Sequence, residues 1–233
     1  MTICTIKSAS LIATLILAAT TQAQASIIIS EVDPNGSGSA YAADWFELTN
    51  TDLVNAVDIT GWKMDDNSNL FANSVAIRGV TSIAAGQSVV FLEGAALSTN
   101  DATLDANYKS AWFGTNIPTG FVVGNYGGTG VGLSATADAV NIFDAAGTVV
   151  TRVDFGVTTL AGGTLDNAAG LTGVTISTKS AVGTNGAFTS FNSAEIGSPG
   201  LITASAVPVP AAVWLFLTGF MGFLGLNRKR KSA

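Results

Sequence analysis

Apolar residues in this chain alternate with polar ones two residues to the period, and no stretch keeps a convincing 3.6-residue repeat. That pattern commits the chain to strands with one face buried. Ser26-Ile27-Ile28-Ile29-Ser30-Glu31-Val32 reads as a first strand, rich in β-branched residues, and Trp45–Asn50 as a second. Val57–Met64 reads as a third, with Gly61 marking a bulge or close backbone approach that re-aims Trp62. Val75–Ile77, Ser88–Leu92, Ala139–Phe143 and Thr148–Phe155 follow. Ala84-Ala85-Gly86-Gln87 is turn chemistry. Asp144-Ala145-Ala146-Gly147 is a four-residue hairpin loop with Gly for the left-handed position. Ala102–Ala111 offers one or two helical turns near Tyr108, residues 114–132 read as a Gly-rich insertion, and residues 160–200 as loose or short strands. The expected class is all-β, a sandwich with Gly-, Ser-, Thr- and Asn-rich loops at both ends.

Two segments stand outside this pattern. Lys7 precedes the apolar stretch Ala9–Ala19, and small residues follow at Ala23 and Ala25. This is the layout of a secretory signal peptide over 1–25, cut after Ala25. The region expected after it, Ser26–Val207, carries five basic residues against all sixteen acidic ones, a net charge of −11. Such a charge repels nucleic acid, and no nucleic-acid partner is expected. The one cysteine, Cys4, lies in the signal peptide, so the exported region has no disulfide to lean on. About 180 residues bury roughly 70% of their extended surface, enough for a single core. There is no histidine, which removes Ser-His-Asp and Cys-His catalysis and histidine metal sites.

At the other end, Val207-Pro208-Val209-Pro210 leads into an uncharged run to Leu226, and Arg228-Lys229-Arg230-Lys231 follows Asn227. Val207–Leu226 as a helix spans about 30 Å at roughly 1.5 Å per residue, matching a bilayer core. The basic cluster holds the cytoplasmic side and Trp214 the opposite interface. This three-part tail resembles the PEP-CTERM class of bacterial sorting signals. Val209 stands where that family's Pro-Glu-Pro has Glu, and VPVPAAVWLF is similar to its VPxPA subtype. The resemblance implies cleavage by an exosortase-type enzyme and a Gram-negative host that makes exopolysaccharide. It also implies an inner-membrane intermediate on the way to the cell surface, outer membrane or extracellular matrix.

Between the ends, ISEVDPNG, DWFELTN, VDITGWKMDDN, IAAGQSVVFLEG and AVNIFDAAGTVVTRVDFG occur in the order found in lamin-tail domains. Asp58-Ile59-Thr60-Gly61-Trp62 matches that family's "D-[LI]-[ST]-G-W" strand, and Ser198-Pro199-Gly200 its closing "[ST]-P-G". The resemblance implies an immunoglobulin-like β-sandwich that binds or scaffolds and brings no catalytic residues. The expected organisation is therefore a signal peptide over 1–25, a lamin-tail-like sandwich over 26–200 and a linker over 201–206. The sorting signal follows over 207–231, with a transmembrane helix at about 211–226.

One loop has the layout of a calcium site. From Asp33 to Asp44, oxygen-bearing residues fall at Asp33, Asn35, Ser37, Ser39 and Tyr41, Gly38 takes the sixth position, and the carboxylate of Asp44 closes the twelfth. Pro34, the short Asp44 and the flanking strands favour an ordinary turn instead. No cofactor is expected, with calcium the alternative here. Asp65-Asp66-Asn67-Ser68-Asn69 reads as a solvated loop. Gly130-Val131-Gly132 lacks the following helix a phosphate site needs. Trp45 and Trp62 fall at core-like positions, whereas Trp112 could serve a sugar platform. The leading expectation is an exported, non-catalytic surface or exopolysaccharide-matrix protein. Its partners are a processing enzyme, the membrane at least transiently, and exopolysaccharide. The alternatives are a calcium-assisted adhesion or carbohydrate-binding module and, more distantly, a carboxylate hydrolase built on Glu31, Asp44 or Glu47.

Overall fold

The structure, a computed structural model, describes residues 27–36, 39–157 and 162–201. Strands β1 (Ile27–Asp33), β2 (Trp45–Asn50), β3 (Val57–Asp58), β4 (Lys63–Asp65), β5 (Val75–Ala76), β6 (Ser82–Ile83) and β7 (Ser88–Gly94) come first. Helix α1 (Asp101–Phe113) follows, then β8 (Val122–Gly127), β9 (Asp138–Phe143) and β10 (Val149–Phe155). Four short strands complete the chain: β11 (Leu165–Asp166), β12 (Val174–Ile176), β13 (Phe188–Thr189) and β14 (Ile196–Gly197). Two five-stranded sheets, ordered β11-β1-β2-β7-β8 and β12-β10-β9-β4-β5, face each other as the expected immunoglobulin-like sandwich.

The core between them follows from the two-residue period. Phe46 and Leu48 of β2, Val89 and Phe91 of β7, and Ile27, Ile29 and Val32 of β1 point inward. They meet Met64, Val140, Ile142, Val153 and Phe155 from the other sheet. Phe46 stacks on Phe91 with centroids 5.5 Å apart and lies 5.4 Å from the Tyr126 ring. Strict alternation along β1 would turn Glu31 into this core. Instead Ile29 pairs with Leu48 and Glu31 with Glu47, so Ser30 is an extra residue. The bulge keeps Val32 inside and puts Glu31 on the outer face.

Both predicted turns form. Gly86 and Gly147 take positive φ, and Gly147 closes the β9–β10 hairpin from Asp144. The predicted third strand is broken into β3 and β4 by Gly61, whose φ of 78° starts Trp62 inward. Residues 162–201 form the short strands expected there, and these are paired into the sheets. β11 pairs with β1, and β12 lies parallel to β10.

Two expectations are corrected. The stretch near Tyr108 is a helix of 13 residues, not one or two turns. It buries Leu104, Tyr108, Ala111 and Trp112 on one face, with Phe113 at its end, a spacing that the exposed Ala102 and Ala106 blur in the sequence. The Gly-rich stretch 114–132 contains strand β8, parallel to β7. Its glycines are needed for close approach: a Cβ at Gly124 would lie 2.6 Å from Phe91 Cε1 and 2.8 Å from the Arg78 carbonyl oxygen. Helix α1 is thus a crossover between parallel strands. It packs on the outer face of the first sheet, where Trp45, Val90, Leu92, Tyr108, Trp112 and Val123 build a second core. Arg78 ties down its first turn through a two-pronged pair with Asp101 at 2.7 and 2.9 Å.

Candidate functional site

The outer face of the first sheet is the chemically unusual part of the molecule. Trp45, Glu47 and Thr49 alternate along β2, and the bulge adds Glu31 and Asp33 from β1 beside them. Glu31 and Glu47 stand opposite each other on neighbouring strands and both are fully buried. Glu31 accepts the backbone N–H of Ser198 at 2.9 and 3.1 Å, the Ser198 hydroxyl at 3.2 Å, the Ser180 hydroxyl at 3.1 Å, and the Thr164 hydroxyl. Glu47 accepts the Ser30 hydroxyl at 2.8 Å and the backbone N–H of Gly200. Ser30 in turn is reached by Thr49, which shares a hydrogen bond with Ser88.

Burial dominates the acidity of both carboxyls. It pushes Glu31 up to about 7 against its hydroxyl and N–H donors. It pushes Glu47 up to about 8, with the adjacent Glu31 charge acting the same way. Both carboxyls are thus shifted toward holding a proton at a pH where an ordinary glutamate has lost its own.

Along the same face, Tyr41 donates to Glu195 Oε1 at 2.8 Å, accepts from Trp45 Nε1 at 3.0 Å and lies 3.4 Å from Asp33 Oδ2. Burial raises Asp33 well above the usual carboxylate range, and the Glu195 charge adds to it. Burial also raises Glu195. Three polar atoms beside this group, Tyr108 Oη, Trp112 Nε1 and Glu195 Oε2, are buried without a hydrogen-bond partner among the described residues.

The loop with calcium spacing turns its oxygens on itself. Asp33 Oδ1 accepts the Asn35 N–H at 3.0 Å, the Ser39 hydroxyl donates to the Gly36 carbonyl at 2.5 Å, and Tyr41 is committed to Glu195. Asp44 lies at the other side, where it lines a shallow hollow of about 470 Å³ with Glu93, Gly94, Asn100 and Leu133. Burial raises Glu93, and the Asp44 charge adds to it. Ser37 lies outside the described residues. Among the described residues no group of three or more His, Cys, Asp or Glu could hold a metal ion.

The three tryptophans weighed as a sugar platform are all buried, Trp112 at 1% exposure, so none offers a flat open face. The stretch around Gly130 runs into β9 rather than a helix, which agrees with reading it as no phosphate site. Glu31 and Glu47 are covered by the chain at Ser198–Gly200, which leaves no open cleft at that pair.

Ala23, Ala25, Val207–Pro210 and Arg228–Lys231 lie outside the described residues, as does the expected helix at about 211–226. Among the described residues no helix is long and apolar enough to cross a membrane. Sequence reasoning named Glu31 and Glu47 as acids but missed their cover. That cover joins positions 167 and 153 residues apart, and nothing local announces it.

The family model of the lamin tail domain matches residues 20–156, more than half of the chain. The chain belongs to the lamin tail domain family. No curated protein and no solved structure matches it. In this lamin tail protein the matched region supplies both five-stranded sheets except β11 and β12. Residues 162–201, beyond the match, supply those two edge strands and the cover over the buried acids.

Proposed function

We propose that this lamin tail protein is an exported, non-catalytic component of a bacterial cell surface or exopolysaccharide matrix. It is sorted, and cleaved at its C-terminal signal, by an exosortase-type enzyme. The observation that carries the reading is the ordered tail: Val207-Pro208-Val209-Pro210, an uncharged run to Leu226, then Arg228-Lys229-Arg230-Lys231. The small-residue site at Ala23 and Ala25 behind an apolar stretch supports export. The strongly acidic region between them suits a soluble extracellular life. A non-catalytic role is supported by two observations. There is no histidine in the chain, and the paired acids Glu31 and Glu47 are sealed under protein rather than open to a substrate.

The test is the intact mass of the protein recovered from its native host. The reading expects loss of residues 1–25 and of the stretch after about Pro210, with any added mass reporting what the new C-terminus was joined to. A mass that keeps Ala211–Ala233 would make the tail a plain anchor and end the sorting proposal.

A further inference from the structure

We propose that the end of the sandwich carrying Leu53, Val54, Ile117, Phe191 and Leu201 is a lipid-docking face, which lies on the bilayer surface while the tail still holds the chain there. The inference rests on reading Val207–Leu226 as a membrane-crossing run.

Strand register places these residues at one end of the first sheet. β1 starts there and β2 finishes there, since Ile27 pairs with Asn50. β7 and β8 start there too, with Ser88 opposite Thr49 and Val122 opposite Val89. The loop after β2 therefore leaves from this end, and the link from α1 returns to it. Leu53 and Val54 are exposed on the loop, Val54 at 82%, and Ile117 is exposed on the link. Residues 162–201 bring the other two. The Phe191 N–H donates to the Trp112 carbonyl in the last turn of α1 at 3.0 Å, and its ring lies against Gly114. Phe191 is still 69% exposed. Gly114 and Ile117 line one shallow hollow. Gly200 abuts the Phe121 ring just ahead of β8, so the chain reaches Leu201 at this end as well. Apolar side chains exposed singly are ordinary, but several gathered where the chain leaves toward an apolar run point to a surface that covers them.

The charge distribution favours lipid as that surface. Residues 27–154 hold fourteen acids against four bases, whereas residues 155–206 hold two against one. No charged residue occurs in 110–121, 180–194 or 196–206. The repulsion that an acidic chain meets at an anionic bilayer is thus carried mainly by other parts of the sandwich. The acids at the margin are turned onto protein. Asp52 accepts the N–H groups of Val54 and Asn55, Asp166 accepts the Asn185 side chain, and Glu195 accepts the Tyr41 hydroxyl. Asp105 and Lys109, one of each sign, line the hollow with Ile117.

The link completes the argument. From Leu201 to Val207 the chain can span at most about 22 Å. So short a connection holds this end against the bilayer at high effective concentration, and a small apolar face is then enough to dock. A docked end also keeps Val207–Pro210 close to the lipid surface.

The test uses the full chain with Cys4→Ser, in vesicles of phosphatidylethanolamine and phosphatidylglycerol that contain a spin-labelled quencher lipid. A fluorophore is attached through Thr119→Cys, beside Ile117, or through Ser98→Cys, beside Leu97 on the loop that leaves the opposite end of β7. Both positions are exposed. Flotation with the vesicles reads anchoring by the tail. The expected result is a floating chain with quenching several-fold stronger at position 119 than at position 98. Ile117→Asp with Phe191→Asp, both on the surface, should bring the two positions to parity without loss of flotation. Equal quenching in the floating unaltered chain overturns the docking face and leaves the tail reading in place. Stronger quenching at position 119 that survives the double substitution overturns it too. Shielding of position 119 from the lipid, with self-quenching between labels, assigns the face to a second copy of the chain and also overturns the proposal. A chain that does not float overturns both the docking face and the tail reading.

Discussion

On the inner face of the first sheet, β1, β2 and β7 present Ile29, Phe46, Leu48, Val89 and Phe91 to a facing sheet of similar character. On the outer face the same strands present Trp45, Val90 and Leu92, but also Glu31, Asp33 and Glu47. Both faces are buried. The inner one needs only shape and area, and most of it comes from strands within the family match, with Leu165 and Ile176 added from beyond it. The outer one needs donors in set places. These come from Ser180, Ser198 and Gly200, beyond that match, while α1 covers the neighbouring aromatics. An apolar face can be covered by many partners, whereas a face with buried carboxyls specifies its cover atom by atom.

The sharpest way to break this comparison is to damage each face and read stability at two pH values. Phe46→Ala removes a ring stacked on Phe91 and tilted against Tyr126 and should cost about 3–5 kcal/mol in denaturant unfolding. That loss should be equal at about pH 5 and pH 8. Glu31→Ala should cost about 2–3 kcal/mol at pH 5, because the Ser198 N–H and two hydroxyls lose their acceptor. Its cost should shrink at pH 8, where the native carboxyl has already lost its advantage. Equal costs at both pH values would erase the distinction between the faces.

The third effect concerns the unaltered protein. Glu31 and Glu47 have folded-state values of about 7 and about 8, above the ordinary 4.5, so the folded form binds more protons between those limits. Stability is therefore full below about pH 4.5 and declines as pH rises toward about 8, by at most about 1.4 kcal/mol per pH unit for each proton released. Asp33 and Glu195, also raised, act in the same direction. Urea midpoints measured from pH 5 to 8 that rise or stay level would contradict this. The smallest effect is expected from metal. The Asp33–Asp44 loop spends Asp33, Ser39 and Tyr41 on internal hydrogen bonds, so melting in calcium and in chelator should coincide. A calcium-dependent rise in melting temperature, lost on Asp44→Ala, would move that loop from turn to site.

The contrast between the faces also explains what could be read from the sequence. Phe46 and Leu48, or Val89 and Phe91, are two apart on one strand, so period and burial coincide. The Asp144–Gly147 hairpin was legible because its chemistry is local. α1 was not, since its alanines dilute the buried stripe of Leu104, Tyr108 and Trp112. β8 was hidden by Gly124 and Gly127, whose lack of a side chain is what lets the sheet close there. The pairing of Glu31 with Glu47 rests on a one-residue bulge at Ser30, and their cover rests on contacts more than 150 residues apart. Neither is encoded in any window short enough to read.

The placement of β1 has a consequence for the order of events in folding. It lies between β2 and β11, so the first described strand is completed on one side by residues 45–50 and on the other by residues 165–166. Glu31 waits still longer, for Ser198. Loops of that length close slowly, and a chain delivered from its N-terminus holds a half-paired first strand until residues 165–166 have emerged. Completion of the described fold is thus timed by residues 162–201, which bring the second neighbour of β1 and the donors that Glu31 requires.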